Sequence, residues 1–209
     1  MCSALQGAPD AGAVGCKLLN PDGTIQTSCI QRYPTILDQL LDAEQLRNLF
    51  PRAKVWGIRP LSDDPTGPVP VEVISGACLM ITRQVFEQIG QFTTDYFMYA
   101  EDVDLCFRAQ RAGYRNYFVG QAAMIHHGGG SSDSIPKNNF GAIVMRDSLY
   151  KFLRKQKGSL YAKAYRITMA VAAGVRILLV GAVLLITLGQ LQRRRLSAAL
   201  AKWAKVLRW

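Results

Sequence analysis

The densest run of chemistry-bearing side chains is Tyr99-Ala100-Glu101-Asp102-Val103-Asp104. Three carboxylates within four positions, at a helix start, have two readings. Acids in a first helical turn are stabilised by the unpaired N–H groups and the helix dipole. A carboxylate there can equally serve as a general base on an incoming hydroxyl, its pKa raised toward neutrality by burial and by like charge. The carboxylates alone leave both readings open. A second cluster is His126-His127-Gly128-Gly129-Gly130-Ser131-Ser132, which holds the only 2 histidines of the chain. Adjacent residues on a strand point to opposite faces, so at most one of the two faces a given site. A histidine at a strand end, followed by glycines and hydroxyls, suits metal or phosphate contact, and equally a plain loop tip with a surface histidine. Ser75-Gly76-Ala77 is a weaker signal, a glycine break inside a β-run that marks a bulge or a close backbone approach.

The elements that must position these groups follow from pattern. Residues 13–19 read as a buried strand, Asn20-Pro21-Asp22-Gly23 as a turn and 24–28 as a second short strand, so 13–28 is expected to be a hairpin. Helical spacing from Thr35 to Phe50 ends at Pro51, and 57–70 reads as a loop. Residues 71–82 form a β-run broken at Ser75-Gly76-Ala77. Thr82 then caps a short helix that stops at Gly90. The acid-led helix runs to Ala112, two strands are expected at 114–119 and 122–127, and an amphipathic helix at 139–156. Strands alternating with helices give the α/β class.

Of the 209 residues, 49% are hydrophobic and 19% charged, which excludes disordered and collagen-like classes and allows a sizeable core. Formal charge is +10, and it is not evenly spread. Residues 1–145 hold 11 Lys and Arg against 14 Asp and Glu, whereas 146–209 hold 14 against the single acid Asp147. The basicity flanks the apolar stretch Ile167–Leu191, which points to an anionic membrane surface, not nucleic acid. That stretch is 25 residues long, enough to span a bilayer. Arg176, near its middle, costs about 2.5–3.5 kcal/mol on insertion, against about 0.3–0.6 returned by each Leu, Ile or Val. Spanning and lying in the interface both stay open. The 5 cysteines form no Cys-x-x-Cys pair, so reduced and mostly buried thiols are expected, and the N-terminus does not read as a signal peptide.

The order of these pieces resembles the C-terminal half of family 2 glycosyltransferases, and within them the bacterial rhamnosyltransferase-like branch. The likeness covers about residues 10–157 and rests on Phe97-Met98-Tyr99-Ala100-Glu101-Asp102-Val103-Asp104-Leu105. It draws further on Ser75-Gly76-Ala77 upstream, on Arg111-Ala112-Gly113-Tyr114 and on His126-His127-Gly128-Gly129-Gly130-Ser131. It implies a partial GT-A-type fold, a mixed sheet with flanking helices over 1–157, followed by a membrane-associated helical tail over 158–209. It also implies an inverting transfer of a sugar, such as rhamnose, from a nucleotide-sugar donor to a cell-surface polysaccharide or lipid-linked acceptor. A divalent metal, Mg2+ or Mn2+, and a place on the cytoplasmic face of the bacterial inner membrane come with it. Carried over by position, Asp102 is the implied catalytic base, Glu101 and Asp104 are supporting carboxylates, and His126 is the metal-binding histidine. Gly76 and Ala77 let backbone approach the sugar or acceptor, and Arg146 approaches the diphosphate.

Two departures bear on these roles. Where the family commonly has Phe-Asp-Glu before the aromatic run, this chain has Phe92-Thr93-Thr94, then Asp95. No Asp-x-Asp precedes residue 101, and Asp63-Asp64 falls in the Pro-rich loop. The resemblance therefore implies that the family's N-terminal nucleotide-binding half is missing here, as in a truncated or a split reading frame, the latter with that half as a separate partner, and that the isolated 209 residues transfer little sugar. The alternative reading is a non-catalytic membrane-bound partner of another glycosyltransferase chain.

Overall fold

The computed structural model describes residues 1–41, 67–128, 140–187 and 193–209. The chain divides into two compact units, Met1–Ser132 and Asp133–Trp209. The amphipathic helix that the sequence reading grouped with 1–157 falls in the second of them.

In the first unit, four strands form a mixed sheet in the order β3-β6-β1-β5, where β1 is Ala11–Leu19, β3 Val69–Val71, β5 Leu79–Ile81 and β6 Arg115–Ile125. β1 and β6 run parallel, and β5 and β3 flank them antiparallel. A separate antiparallel pair joins β2 (Ile30–Gln31) to β4 (Val73–Ile74). Among the described residues, the helices of this unit are α1 (Cys2–Gly7), α2 (Ile36–Leu41), α3 (Arg83–Gln88) and α4 (Glu101–Arg111). The mixed α/β class expected from the sequence is the class observed.

β1 is buried along nearly its whole length, as a central parallel strand must be. Ala11 and Val14 pack with Val119 against Met1, Ala4 and Leu5 of the α1 region. Another cluster joins Val85 and Ile89 to Leu105 and Ala109, seating α3 against α4. Gly15 marks a close crossing, because a Cβ there would lie 2.0 Å from Ile74 Cγ2. Asn116 is a buried polar staple. It accepts from Ala13 N–H at 3.1 Å and donates to Glu72 O at 2.8 Å and Cys106 O at 3.1 Å, tying α4 to the sheet. A buried amide is tolerated here because its polar atoms find partners.

Several local expectations hold and some do not. Thr82 Oγ1 accepts from Val85 N–H at 3.2 Å and caps α3, and Gly90 ends it at φ 85°. The turn at Asn20–Thr24 forms, but the expected second strand reduces to one bridge, Leu19↔Ile25, followed by a 3-10 turn at Thr27–Cys29. The two strands expected at 114–119 and 122–127 are one strand, β6. Its pairing jumps from Cys16↔Val119 to Lys17↔Ala123, so residues 120–122 are absorbed as an irregularity and do not form a turn. The helix expected over 35–50 is described only as far as Leu41, and the loop at 57–70 only from Gly67; the remainder of each lies outside the described residues.

Among the described residues, the second unit holds α5 (Phe140–Lys157), α6 (Ser159–Ile186) and α7 (Arg193–Arg208). α6 buries Ala162, Tyr165, Met169, Ala172 and Ala173, a helically spaced face rich in small residues that lets its neighbours approach. Arg176 continues that face and lies 4.4 Å from the ring centroid of Trp203 on α7. The arginine in the apolar run thus has a cation–π partner. α7 packs along α6. The opposite side of α6, with Ile167, Val171, Val175, Leu178 and Leu179, is exposed, and the helix is long and apolar enough to cross a membrane.

Candidate active site

Asp102 is the second residue of α4, and the chain enters that helix through two consecutive left-handed residues, Tyr99 (φ 69°) and Ala100 (φ 64°). Non-glycine residues there cost about 1 kcal/mol or more each, and such strain concentrates at functional sites. The Asp102 carboxylate joins two of the motifs read from the sequence. Its Oδ2 accepts from Gly76 N–H at 2.9 Å and its Oδ1 from Val103 N–H at 2.8 Å. Burial raises its pKa above the ordinary carboxylate range, and these two N–H donors only partly offset that rise. Glu101 is also shifted upward, by burial first and then by the Asp102 charge. Its Oε2 is buried with no hydrogen-bond partner among the described residues.

Asp104 plays a different part. It is fully buried, accepting from Tyr96 Oη at 3.2 Å and from Arg108 Nε at 2.7 Å. Arg108 in turn donates to the carbonyls of Ile89 and Gln91. Asp104 therefore ties α4 to the end of α3 and to the aromatic run, which holds the entry to the helix and, through it, Asp102.

Gly76 leaves room for this arrangement. A Cβ on it would stand 3.3 Å from Asp102 Cβ, tighter than an ordinary contact. Ala77 N–H turns back to Ser75 Oγ at 3.3 Å, closing the short 3-10 turn Gly76–Cys78. Gly76→Ala is expected to push Asp102 aside by a few tenths of an ångström. If Asp102 is the base that the family resemblance implies, activity should fall about tenfold with little change in melting temperature, because small misplacements of a reacting group are costly. Kinetics beside a thermal melt check it.

His126 follows β6 directly. Its N–H donates to Leu19 O at 2.9 Å, its Nδ1 faces Gln26 Oε1 at 2.9 Å, and Gln26 Nε2 donates to His126 O at 2.7 Å. His127 is exposed. Gly129, Gly130 and Ser131 lie outside the described residues. The antiparallel register pairs Gly15 with Leu79, so Gly76–Cys78 continues toward the carboxyl end of β1. The parallel register carries Leu19 beside Ile125. The Gly76–Asp102 contact and His126 thus belong to the same edge, the carboxyl end of the parallel pair, where open α/β sheets bind ligands. Arg146 is on α5 in the second unit. Its Nη1 donates to Ala142 O at 2.8 Å and its guanidinium lies 5.6 Å from the Trp203 ring centroid. Gln26 and Asn116 carry parts of this architecture that the sequence reading passed over, since a single amide outside any motif gives no signal.

A sequence model of the family described as "Glycosyl transferase family group 2" matches residues 43–207. The chain belongs to that family. It is 32% identical over 170 residues to an N-acetylglucosaminyl-diphospho-decaprenol L-rhamnosyltransferase of Mycobacterium tuberculosis, covering 80% of this chain and 53% of that protein. It is also similar to the O-antigen biosynthesis protein RfbC of Myxococcus xanthus, 28% identical over 63% of this chain and 10% of that one. A low-salt glycan biosynthesis hexosyltransferase, Agl10 of Haloferax volcanii, is 41% identical over 56 residues, covering 27% of this chain and 17% of the relative. The chain spans about half the length of the M. tuberculosis relatives it matches.

Proposed function

We propose that the chain is the acceptor-side part of a GT-A-type glycosyltransferase, with 1–157 contributing to the catalytic domain and 158–209 to membrane attachment. It moves a sugar, rhamnose in our reading, from a nucleotide-sugar to a polysaccharide or lipid-linked acceptor. The observation that carries the reading is the Gly76–Asp102 contact: a partly buried carboxylate with a raised pKa at the carboxyl edge of a parallel strand pair. An inverting transfer forms the bond from acceptor oxygen to anomeric carbon as the bond to the diphosphate breaks. Asp102 takes the acceptor proton in that step. Glu101 shapes the charge beside it, and Asp104 holds the helix. Gly76 and Ala77 line the approach of the substrates.

The family membership supports a divalent cation, Mg2+ or Mn2+. His126 suits one ligand position, since Gln26 occupies one ring nitrogen and leaves the other for a ligand. Among the described residues no group of three His, Cys, Asp or Glu side chains is arranged to hold a metal ion. Mg2+ and Mn2+ favour oxygen donors, usually one or two carboxylates with substrate phosphates and water, so His126 would be one ligand beside oxygen donors. The cation would neutralise the departing diphosphate. A partner chain or segment carrying the nucleotide-binding strands completes the site.

The exposed apolar side of α6 and the basic residues of the second unit support attachment to an anionic membrane, and the cytoplasmic face is where nucleotide-sugars are found. A single preparation tests function and attachment together. Membranes from cells producing the chain with a nucleotide-binding half should transfer labelled sugar from the nucleotide donor to a lipid extract. They should retain the chain through a low-salt wash. Release by high salt alone means interfacial binding, since salt screens surface charge and does not extract an inserted helix. Absence of any transfer with every nucleotide-sugar tried would favour the non-catalytic partner.

A further inference from the structure

The turn at Asn20–Thr24 does more than reverse the chain, because its hydrogen bonds lead step by step to the ring of His126. Asp22 is the starting point. Its carboxyl is held below the usual range by the hydroxyl and backbone N–H of Thr24, so it is ionised and only accepts. Thr24 Oγ1, 2.6 Å from Asp22 Oδ1, must therefore give its proton to that oxygen. The hydroxyl is then left as acceptor for Asn20 Nδ2 at 2.8 Å. That fixes the Asn20 amide with Oδ1 toward Gln26, where it accepts from Gln26 Nε2 at 2.9 Å. The second Gln26 proton goes to the carbonyl of His126 at 2.7 Å, an independent constraint of the same sense. Both amide protons are spent, so the atom that meets His126 Nδ1 at 2.9 Å is the Gln26 oxygen. A carbonyl oxygen cannot donate, so Nδ1 must carry the hydrogen.

We propose that Gln26 is a positioning residue that holds neutral His126 in the Nδ1–H tautomer, leaving Nε2 with a bare lone pair. The inference rests on the assignment of His126 to the reaction centre and narrows it. A lone pair on Nε2 ligates a cation or accepts a proton; it cannot donate to a phosphate oxygen. Second groups that fix the tautomer of a ligating histidine in this way are general among metal sites. Here the group is an amide, itself oriented by a turn whose members are all within seven residues of one another. Such an amide adds no charge of its own beside the ring.

The test is nitrogen NMR on the full chain, labelled in its histidine rings and held in detergent micelles at about pH 9, well above the ordinary imidazole pKa. With only 2 histidines the spectrum is simple, and His127→Gln assigns it. His126 should show a protonated Nδ1 and a bare Nε2, while exposed His127 shows the opposite preference of free imidazoles. Gln26→Ala should move His126 to the His127 pattern. A wild-type His126 protonated at Nε2, or one unmoved by Gln26→Ala, overturns the inference, and the first of these needs no variant to fold. Adding Mn2+ together with a nucleoside diphosphate, which supplies the phosphate oxygens, separates it from the reading beneath it. Broadening confined to His126 supports the ligand role. A correct tautomer with no broadening at His126 overturns that role and leaves the tautomer assignment standing.

Discussion

Asp102→Asn is expected to lower sugar transfer by about 10²- to 10⁴-fold, the usual contribution of a positioned general base. The substitution preserves shape and one acceptor oxygen but cannot take up the acceptor proton. Its effect on the fold should be small, and the sign can be worked out. Burial raises the Asp102 pKa in the folded state, so folding favours the uncharged form. That contribution to stability is complete below the unfolded pKa and is lost as pH rises through the folded one. At neutral pH the ionised carboxylate is therefore a cost, which Asn removes while giving up one of the two N–H acceptor bonds. These changes oppose each other, and the melting temperature should move by only a few degrees. In the active protein, kcat/KM should fall on the acid side through a pKa above the ordinary carboxylate range, because only the ionised base works. Glu101→Gln should cost an intermediate amount of activity and Asp104→Asn less. A complemented assay of the three variants, with the nucleotide-binding half supplied, decides it. Near wild-type turnover by Asp102→Asn would reduce the acids to helix-start residues.

The sequence made the local parts of this site readable and hid the long-range ones. Thr82, Gly90 and the acid-led α4 announce themselves because caps, stops and first-turn acids act within a few residues. The break at Ser75-Gly76-Ala77 was visible as a break; its meaning was not. Gly76 meets Asp102 across 26 residues, and no periodicity encodes which backbone N–H a carboxylate will find. Asn116 and Gln26 were silent for the same reason, each being one amide whose partners come from distant segments. β6 was split in two because Gly120 looks like punctuation, whereas the neighbouring strand β1 carries it through as an irregularity. Arg176 looked costly within an apolar run, since nothing local told of Trp203 on the next helix.

Asp104 should prove the acid on which stability depends, as Asp102 is the one for turnover. It is wholly buried, and the side chain of its partner Arg108 is 19% exposed. Arg108 joins α4 to the chain at the end of α3, donating from Nε to Asp104 and from its two terminal nitrogens to the carbonyls of Ile89 and Gln91. Asp104→Ala leaves that guanidinium without its carboxylate and Tyr96 Oη without its acceptor. Removing one member of a buried ion pair costs about 3 kcal/mol or more, because the other charge stays desolvated. For a unit of this size that is a fall of about 10 °C in melting temperature. Asp104→Asn keeps an acceptor for one of the two partners and should lose less. Pairing Asp104→Ala with Arg108→Ala separates a stabilising bond from a stranded charge. If the arginine is the source of the penalty, the double variant recovers part of the stability lost by Asp104→Ala alone, and a circular dichroism melt of the three proteins reads it. A melting temperature unchanged by Asp104→Ala would mean that the α3–α4 joint is held by apolar packing of Val85, Ile89, Leu105 and Ala109 without the ion pair.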